Sequence, residues 1–245
     1  MLKANSGWSH KLYDDEDIKA FILKYYGRQI WDYYERIDPF YGAARADFFR
    51  YLLIYQLGGV YLDIKTTVKG DLNTLLKEGD EFLLSFWDNE PGDLHEGQTF
   101  VPELNHISRG EYVQWCIISR PRHPLMLAVI VRVLQRIDSY NPYKDGMGFM
   151  GTIRTTGPAP YTLAIEEAIN KGARGYRWVS FAKDLAIQYS IYEQEGKSLA
   201  HKNALKSNYH LGKRPVVRHK NQLIQFATVL YMKLLGWYRK RWIKK

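Results

Sequence analysis

The spacing of apolar residues along the chain predicts helices that alternate with short strands. Residues 14–17 are all acidic and precede apolar positions at helical spacing, so we expect a helix whose first amide groups are capped by carboxylates. A second helix is expected over residues 43–57, where the glycine pair 58–59 ends it. Residues 60–64 are apolar apart from Asp63 and include β-branched and aromatic side chains, which predicts a short buried strand.

The remaining pattern completes an α/β arrangement. Residues 81–86 and 112–119 are predicted strands. Residues 124–137 begin with a proline and carry one apolar stripe, which is typical of a helix, and another helix is expected over 160–170. Strands that alternate with helices predict a sheet flanked by helices.

Two long segments, residues 88–110 and 139–159, are predicted to be irregular. Loops of that length usually carry function, so the first is a candidate place for an acceptor. Its polar residues are the candidates, although each is also an ordinary loop residue: Asp88, Asn89, Glu103, Asn105 and His106.

Composition is that of a globular protein. The 245 residues are 46% hydrophobic, enough for one domain with a core of its own. Aromatic residues reach 15%, which suits sugar binding as well as core packing. Cys116 is the single cysteine and lies in an apolar run, which excludes a disulfide framework and a cysteine zinc site within the chain and predicts a buried thiol.

Charge and hydropathy divide the chain into an acidic body and a basic tail. Residues 197–245 hold 13 Lys and Arg and no Asp or Glu, whereas the preceding residues have a net charge of −4. The apolar run 223–238 is followed by cations interleaved with tryptophan, which predicts an interfacial helix over 221–245 that docks on an anionic membrane through 223–245. A core helix with a solvated basic end is the alternative. Nucleic-acid binding is disfavoured, because the body is acidic and no recognition motif is present.

No window reaches the ~18–20 consecutive apolar residues of a membrane span, and the first residues lack the apolar stretch of a secretory signal. The expected location is therefore the cytoplasm, peripherally at the membrane surface.

The candidate site combines the second helix with the strand that follows it. Asp47 and Arg50 are three residues apart and so share one helix face. Asp63 follows at the carboxyl end of the strand, where ligands of open α/β sheets bind. Carboxylates accept hydrogen bonds from sugar hydroxyls, and a guanidinium neutralises phosphate charge, so the trio suits a sugar nucleotide. The alternative is an ion pair on the helix surface that contributes little to stability.

Residues 43–63, Ala-Ala-Arg-Ala-Asp-Phe-Phe-Arg-Tyr-Leu-Leu-Ile-Tyr-Gln-Leu-Gly-Gly-Val-Tyr-Leu-Asp, closely resemble the glycosyltransferases of the DXD-motif sugar-binding family. That family includes fungal outer-chain-initiating mannosyltransferases and bacterial capsular and lipopolysaccharide sugar transferases. Further matches follow in the family's order, namely Trp8, the acidic residues 14–17, Gln114-Trp115, residues 120–125 ending in His-Pro-Leu, and Thr156-Gly157-Pro158. The resemblance thus spans residues 8–170.

This resemblance implies a GT-A-type, Rossmann-like single α/β domain and a retaining transfer of a hexose from a UDP- or GDP-sugar to a glycan or lipid-linked acceptor. Asp47, Arg50 and Asp63 are the implied catalytic residues. The implied donor-binding set comprises Asp47, Arg50, Tyr51, Gly59, Tyr61, Asp63, Lys65, Thr156 and His210.

Two departures from the family pattern matter. Lys65 stands where the second motif aspartate is usual, and that aspartate normally helps to bind Mn²⁺ or Mg²⁺. Asp63 is then the remaining candidate metal ligand. Alternatively, Lys65 neutralises the diphosphate without a metal, or another carboxylate binds the metal. The family's first strand is also missing, so we expect a glycosyltransferase domain over 1–220 with a modified base pocket, followed by the helix 221–245.

The sequence therefore predicts a nucleotide-sugar-dependent glycosyltransferase. The alternative from another class is a non-catalytic nucleotide-sugar or glycan-binding protein derived from the same fold, which Lys65 and the missing strand both motivate.

Overall fold

The computed structural model describes residues 5–87, 101–107, 109–189 and 212–219, and these form a mixed α/β structure. Within those ranges the helices are α1 (Asp15–Arg36), α2 (Gly42–Leu57), α3 (Leu72–Leu75), α4 (Pro124–Ser139), α5 (Gly148–Thr155) and α6 (Pro158–Asn170), with one 3₁₀ turn, Pro102–Leu104. The strands are β1 (Gly59–Leu62), β2 (Thr67–Val68), β3 (Phe82–Leu84), β4 (Cys116–Ser119), β5 (Arg177–Trp178) and β6 (Ile187–Gln188).

The main sheet has the strand order β1-β4-β3-β5, and β2 pairs with β6 separately. Strand β4 runs antiparallel to both β1 and β3, whereas β3 and β5 are parallel. Strands β1, β3 and β5 therefore point the same way, and their carboxyl ends lie at one edge, here called the site edge. The α/β class is confirmed, but the described sheet is mixed in direction, and its Rossmann-like and GT-A character stays a prediction.

Local signals in the sequence account for the first two helices. Asp14 and Asp17 form a capping box at the start of α1, with Asp14 accepting from the Asp17 amide, as the acidic cluster predicted. Gly27 interrupts α1 with a positive φ of 72°, so two helical segments meet there at a kink. Helix α2 ends at Gly58, which also has a positive φ and turns the chain into β1.

Helices cover one face of the main sheet and form the larger core with it. Helices α1, α2, α4 and α6 contribute Ile22, Phe48, Val129 and Ile165, all less than 2% exposed. A second core on the opposite face includes Trp115 and Phe181. Burial on both faces explains why strand β4 reads as a continuous apolar run instead of an alternating one, and Cys116 is buried as predicted.

The predicted helices 43–57, 124–137 and 160–170 are confirmed within two residues of their ends. The predicted strands 81–86 and 112–119 are shorter than expected, and beyond them only the bridge between Phe86 and Tyr112 continues the pairing. The prediction that 139–159 is irregular was wrong, because α5 forms there. Gly151 lets α5 approach its neighbours closely: a Cβ at this position would lie 2.6 Å from the Gly146 carbonyl oxygen and 2.8 Å from Val216. Tertiary packing thus stabilises a glycine- and threonine-rich segment of low helix propensity.

Several predictions fall outside the described residues. These are the donor contact of His210, the acceptor candidates Asp88 and Asn89, and the interfacial helix 221–245. Among the residues that the structure describes, no helix is both long enough and apolar enough to cross a bilayer.

The turn from α2 into β1 gives a prediction that compares two adjacent glycines. A Cβ on Gly58 would lie 2.6 Å from the Pro121 nitrogen and 2.9 Å from the Ser119 carbonyl oxygen, whereas a Cβ on Gly59 would meet nothing within 4 Å. Both residues have a positive φ, so alanine at either position should cost roughly 1–3 kcal/mol of backbone strain. We expect Gly58→Ala to lower the free energy of unfolding in urea clearly more than Gly59→Ala, because only the former adds a clash with backbone atoms. Equal losses would contradict the close approach at Pro121.

Candidate active site

Asp47, Arg50 and Asp63 converge at the site edge. The Arg50 Nη2 atom lies 3.2 Å from Asp47 Oδ1 and 2.9 Å from Asp63 Oδ1. Helix α2 supplies the first two side chains from one face, and Asp63 follows the last residue of β1. Asp47 and Arg50 are each only 4% exposed, whereas the Asp63 side chain is 21% exposed. The alternative of a helix-surface ion pair is therefore wrong.

Each nitrogen of the Arg50 guanidinium has a hydrogen bond or an ion pair. Its Nη1 donates to the Gln114 carbonyl oxygen (2.8 Å) and to Gln114 Oε1 (2.9 Å), and its Nε donates to the Ala46 carbonyl oxygen (3.4 Å). The remaining nitrogen, Nη2, forms the ion pairs with the two carboxylates, so all three nitrogens of the guanidinium contact protein oxygens. Burial alone would lower the pKa of Arg50, but the charges of Asp63 and Asp47 outweigh it and raise that pKa. Arg50 is a fixed cation that holds two carboxylates in place.

Asp47 is more deeply buried than Asp63 and accepts a further hydrogen bond from Thr156. The Thr156 hydroxyl donates to Asp47 Oδ2 at 3.0 Å, and the Tyr51 hydroxyl donates to the Thr156 carbonyl oxygen at 2.9 Å. Burial raises the pKa of Asp47, and the Arg50 charge together with the Thr156 hydrogen bond opposes that rise. Tyr51 and Thr156 are both fully buried, so their hydroxyl groups are available to neighbouring protein groups and not to solvent.

Asp63 is flanked by a phenol and two cations. The Tyr61 hydroxyl donates to Asp63 Oδ1 at 3.1 Å, and the Tyr61 ring lies 4.8 Å from the Arg50 guanidinium carbon. Burial raises the pKa of Tyr61, which keeps the hydroxyl protonated as a donor. On the other side, Lys65 Nζ lies 4.0 Å from Asp63 Oδ2. Asp63 and Lys65 are therefore the charged pair that faces the site edge.

Lys65 is itself held by an aromatic residue from far along the chain. Its ammonium donates to the Tyr189 hydroxyl at 2.7 Å and lies 4.0 Å from the centre of the Tyr189 ring. Tyr189 in turn packs against Trp115 and Trp87, with ring centres 5.1 Å away in each case. This packing fixes the cation beside Asp63.

Two cations lie beside Asp63, the predicted metal ligand. Among the described residues, no group of three or more His, Cys, Asp or Glu side chains is placed to share a metal ion. Mn²⁺ and Mg²⁺ prefer several oxygen ligands, but Asp63 here has Arg50 on one oxygen and Lys65 near the other. The ammonium of Lys65 supplies positive charge where the family's second aspartate would contribute a metal ligand.

Other predicted residues lie elsewhere. Gly59 begins β1, and Asp63 follows the far end of this strand, about 13 Å away at the usual rise per residue. The length of the strand separates the two residues, and the predicted donor contact of Gly59 stays a prediction. Glu103 pairs with Arg154 of α5, and His106 is exposed in its loop.

Two residues of the site were not predicted as site residues. Gln114 was noted only as part of a motif, yet it binds both Arg50 and Tyr51 across the sheet. Tyr189 carried no signal at all, since nothing in its local sequence indicates that it contacts Lys65.

Sequence comparisons relate the chain to known glycosyltransferases. The family described as "Glycosyltransferase sugar-binding region containing DXD motif" matches residues 1–81, which include Asp47, Arg50, Asp63 and Lys65. The initiation-specific alpha-1,6-mannosyltransferase of Schizosaccharomyces pombe is 27% identical over 179 residues, covering 66% of this chain and 41% of that protein. An uncharacterized glycosyltransferase, L373, of Acanthamoeba polyphaga mimivirus is 27% identical over 124 residues, covering 51% of this chain and 41% of that protein.

The matched segments thus span less than half of the length of these two relatives. The family match over residues 1–81 includes the segment 43–63, which carries the main part of the motif resemblance. That resemblance is confirmed, and the chain is related to the DXD-motif sugar-binding glycosyltransferases.

Proposed function

We propose that this protein is a retaining glycosyltransferase that transfers a hexose from a nucleotide sugar to a glycan or lipid-linked acceptor. The observation that carries the proposal is the buried Arg50, which joins Asp47 to Asp63 at the site edge. Buried charges are costly unless they are paired, and they cluster at functional sites. Asp63 keeps an exposed part that a donor sugar can reach.

The side chains divide into those that contact the donor and those that position them. Asp63 accepts hydrogen bonds from hydroxyls of the donor sugar, and Lys65 neutralises the diphosphate. Arg50, whose three nitrogens already contact protein oxygens, fixes the two carboxylates instead of binding phosphate itself. Thr156 and Gln114 are positioning residues, because they hydrogen-bond to Asp47 and Arg50, and the Tyr51 hydroxyl bonds to both of them in turn.

In the transfer, the bond between the anomeric carbon and the diphosphate oxygen breaks, and a bond to the acceptor hydroxyl oxygen forms on the same face. The acceptor proton passes to the departing diphosphate, so no protein group is consumed. Fixed charges that stabilise the departing diphosphate, together with positioning of the two substrates, provide the acceleration. Lys65 is the residue that opposes the developing negative charge.

Mannose is the first sugar to test, because the Schizosaccharomyces pombe relative is named as a mannosyltransferase. The test is a turnover assay of the full chain with a panel of GDP- and UDP-hexoses, with Mn²⁺ or with EDTA. We expect donor hydrolysis or transfer with at least one donor, lost in Asp63→Asn. Asp32→Asn changes an exposed carboxylate of α1 that pairs with Arg28, and it serves as the matched control with unchanged turnover.

The same panel in a thermal-shift assay separates the alternative function. A ligand that binds only the folded state raises the unfolding midpoint. A donor that stabilises the protein without any turnover would support a non-catalytic nucleotide-sugar-binding protein. Neither stabilisation nor turnover with any donor would overturn both functions.

A further inference from the structure

Trp178, the last residue of β5, presents an exposed indole at the site edge. Trp178 is 40% exposed, whereas most large aromatic residues in the described part of the chain are buried. One face of the ring stacks on Phe86, with ring centres 4.3 Å apart and an angle of 9° between the planes. Trp178 is thus a partly exposed indole with one ring face covered by Phe86.

Surrounding rings fix the orientation of this indole. Tyr112 meets Trp178 edge-on at 5.0 Å and Tyr176 does so at 6.2 Å. Arg109 lies 4.4 Å from the centre of the Phe86 ring and extends the stack. A ring packed in this way loses little conformational entropy when a ligand binds to it.

The platform lies at the same edge of the sheet as the charged site. Trp178 pairs in register with Leu84, near the carboxyl end of β3, and Asp63 follows the carboxyl end of β1. These ends coincide because β1, β3 and β5 run in the same direction. Three strand spacings separate β5 from β1, which corresponds to about 14 Å.

The platform also lies on the same face of the sheet as the charged site. Tyr112, whose ring contacts Trp178, donates its amide N–H to the Thr162 hydroxyl oxygen of α6, and its hydroxyl pairs with Glu166. Gln114, two residues further along, reaches Arg50 of α2 on that same helical side. Trp178 and the charged site therefore lie on the same face and at the same edge of the sheet, with Gln114 and the buried Tyr112 between them.

We infer that Trp178, stacked on Phe86, is a subsite for the acceptor glycan, with its indole against the apolar face of a hexopyranose ring. This inference rests on the proposed function. Because the distance between Trp178 and Asp63 exceeds the length of one monosaccharide, the sugar bound at Trp178 would be one that precedes the reacting end of the acceptor. Arg109 and Glu166 border the aromatic stack and offer a guanidinium and a carboxylate to sugar hydroxyls. An apolar ring bordered by a few polar groups is the usual form of a small-molecule site.

The test is direct binding of oligosaccharides to the full chain without donor. Mannotriose, maltotriose and cellotriose are titrated and followed by saturation-transfer NMR. We expect at least one of them to bind, and Trp178→Ala to weaken that binding roughly 3- to 10-fold, as removal of one aromatic contact does. Trp178→Phe keeps a flat ring and should retain most of the affinity.

Tyr143→Ala is the matched control, since Tyr143 is also an exposed aromatic residue, 50% exposed, but follows α4 outside the site edge. Its affinity should equal that of the wild type. Equal affinities of wild type and Trp178→Ala, or no binding of any of the three sugars, would overturn the subsite.

Steady-state kinetics then separate this inference from the proposed function. In transfer assays, Trp178→Ala is expected to raise the KM for the acceptor by the same factor as the loss of affinity. A rise in donor KM instead would assign Trp178 to the donor side and overturn the inference. Absence of donor turnover in the wild type counts against the proposed function alone, because the binding titration needs no turnover.

Discussion

Arg50→Ala is expected to lower the free energy of unfolding by about 3–5 kcal/mol, since it removes one partner from a buried ion pair. Asp47, 4% exposed, would lose its cation, and Asp63 would lose one of its two. The expected fall in the thermal midpoint is on the order of 10 °C for a chain of this size. Donor turnover should disappear together with the alignment of the carboxylates.

The loss of stability should depend on pH in a defined direction. Burial already raises the pKa of Asp47, and without Arg50 nothing of comparable strength opposes that rise. A carboxyl whose pKa is higher in the folded state stabilises the fold at acid pH, and this contribution is lost as the pH rises through the folded value. The deficit of Arg50→Ala should therefore be smaller at pH 5 than at pH 7.5, and adding Asp47→Asn should recover part of it.

Arg45 provides the control for this prediction. It lies on the same helix, donates through Nε to the Ile37 carbonyl oxygen and stacks on Tyr34, but it forms no buried ion pair among the described contacts. Arg45→Ala should cost only about 1 kcal/mol, the value of an ordinary hydrogen bond. If urea denaturation gave the same loss for Arg45→Ala and Arg50→Ala, the central role of the Arg50 pairs would be refuted.

Lys65→Ala is expected to lower kcat by roughly 10²–10³-fold, as loss of one preorganised charge at a transition state does. Some loss of stability is also expected, because the Lys65 side chain is only 13% exposed and contacts Asp63 and Tyr189, so kcat is compared at a temperature at which both proteins are folded. Lys69→Ala is the matched control, since Lys69 is exposed four residues further along and its turnover should equal that of the wild type.

Lys65→Asp tests whether the Lys65 ammonium group takes the place of a metal ion in this site. This substitution restores the second carboxylate of the family motif, an oxygen ligand that suits Mn²⁺. We expect the variant to be inactive in EDTA and partly restored by Mn²⁺, whereas wild-type turnover is the same in both conditions. Abolition of wild-type turnover by EDTA, or a wild-type kcat in Lys65→Ala, would contradict the role assigned to this lysine.

Much of the candidate site was predictable because its main residues are close in sequence. Helical periodicity places Asp47 and Arg50 on one face, and a glycine pair followed by a β-branched run places Asp63 at a strand end. The family resemblance then supplied the expected chemistry, and the comparisons support the family. Local signals also predicted α2, α4 and α6, and α4 shows a clear apolar stripe.

Other features depend on contacts that no local pattern encodes. The segment that forms α5 has weak helix propensity, and it is helical because Gly151 allows close packing against Gly146 and Val216. Gly59 belongs to the resembling segment, but the length of β1 separates it from Asp63.

The sequence by itself determined the helix-turn-strand unit that carries Asp47, Arg50 and Asp63, because backbone propensity, capping and periodicity act over a few residues. Only the tertiary structure determined that Gln114 accepts hydrogen bonds from Arg50, that Tyr189 contacts Lys65, and that Trp178 lies at the same edge of the sheet as Asp63. These contacts join residues 64 and 124 positions apart in the first two cases. Strand order and the packing of helices against the sheet bring such residues together, and both result from burial of the whole core.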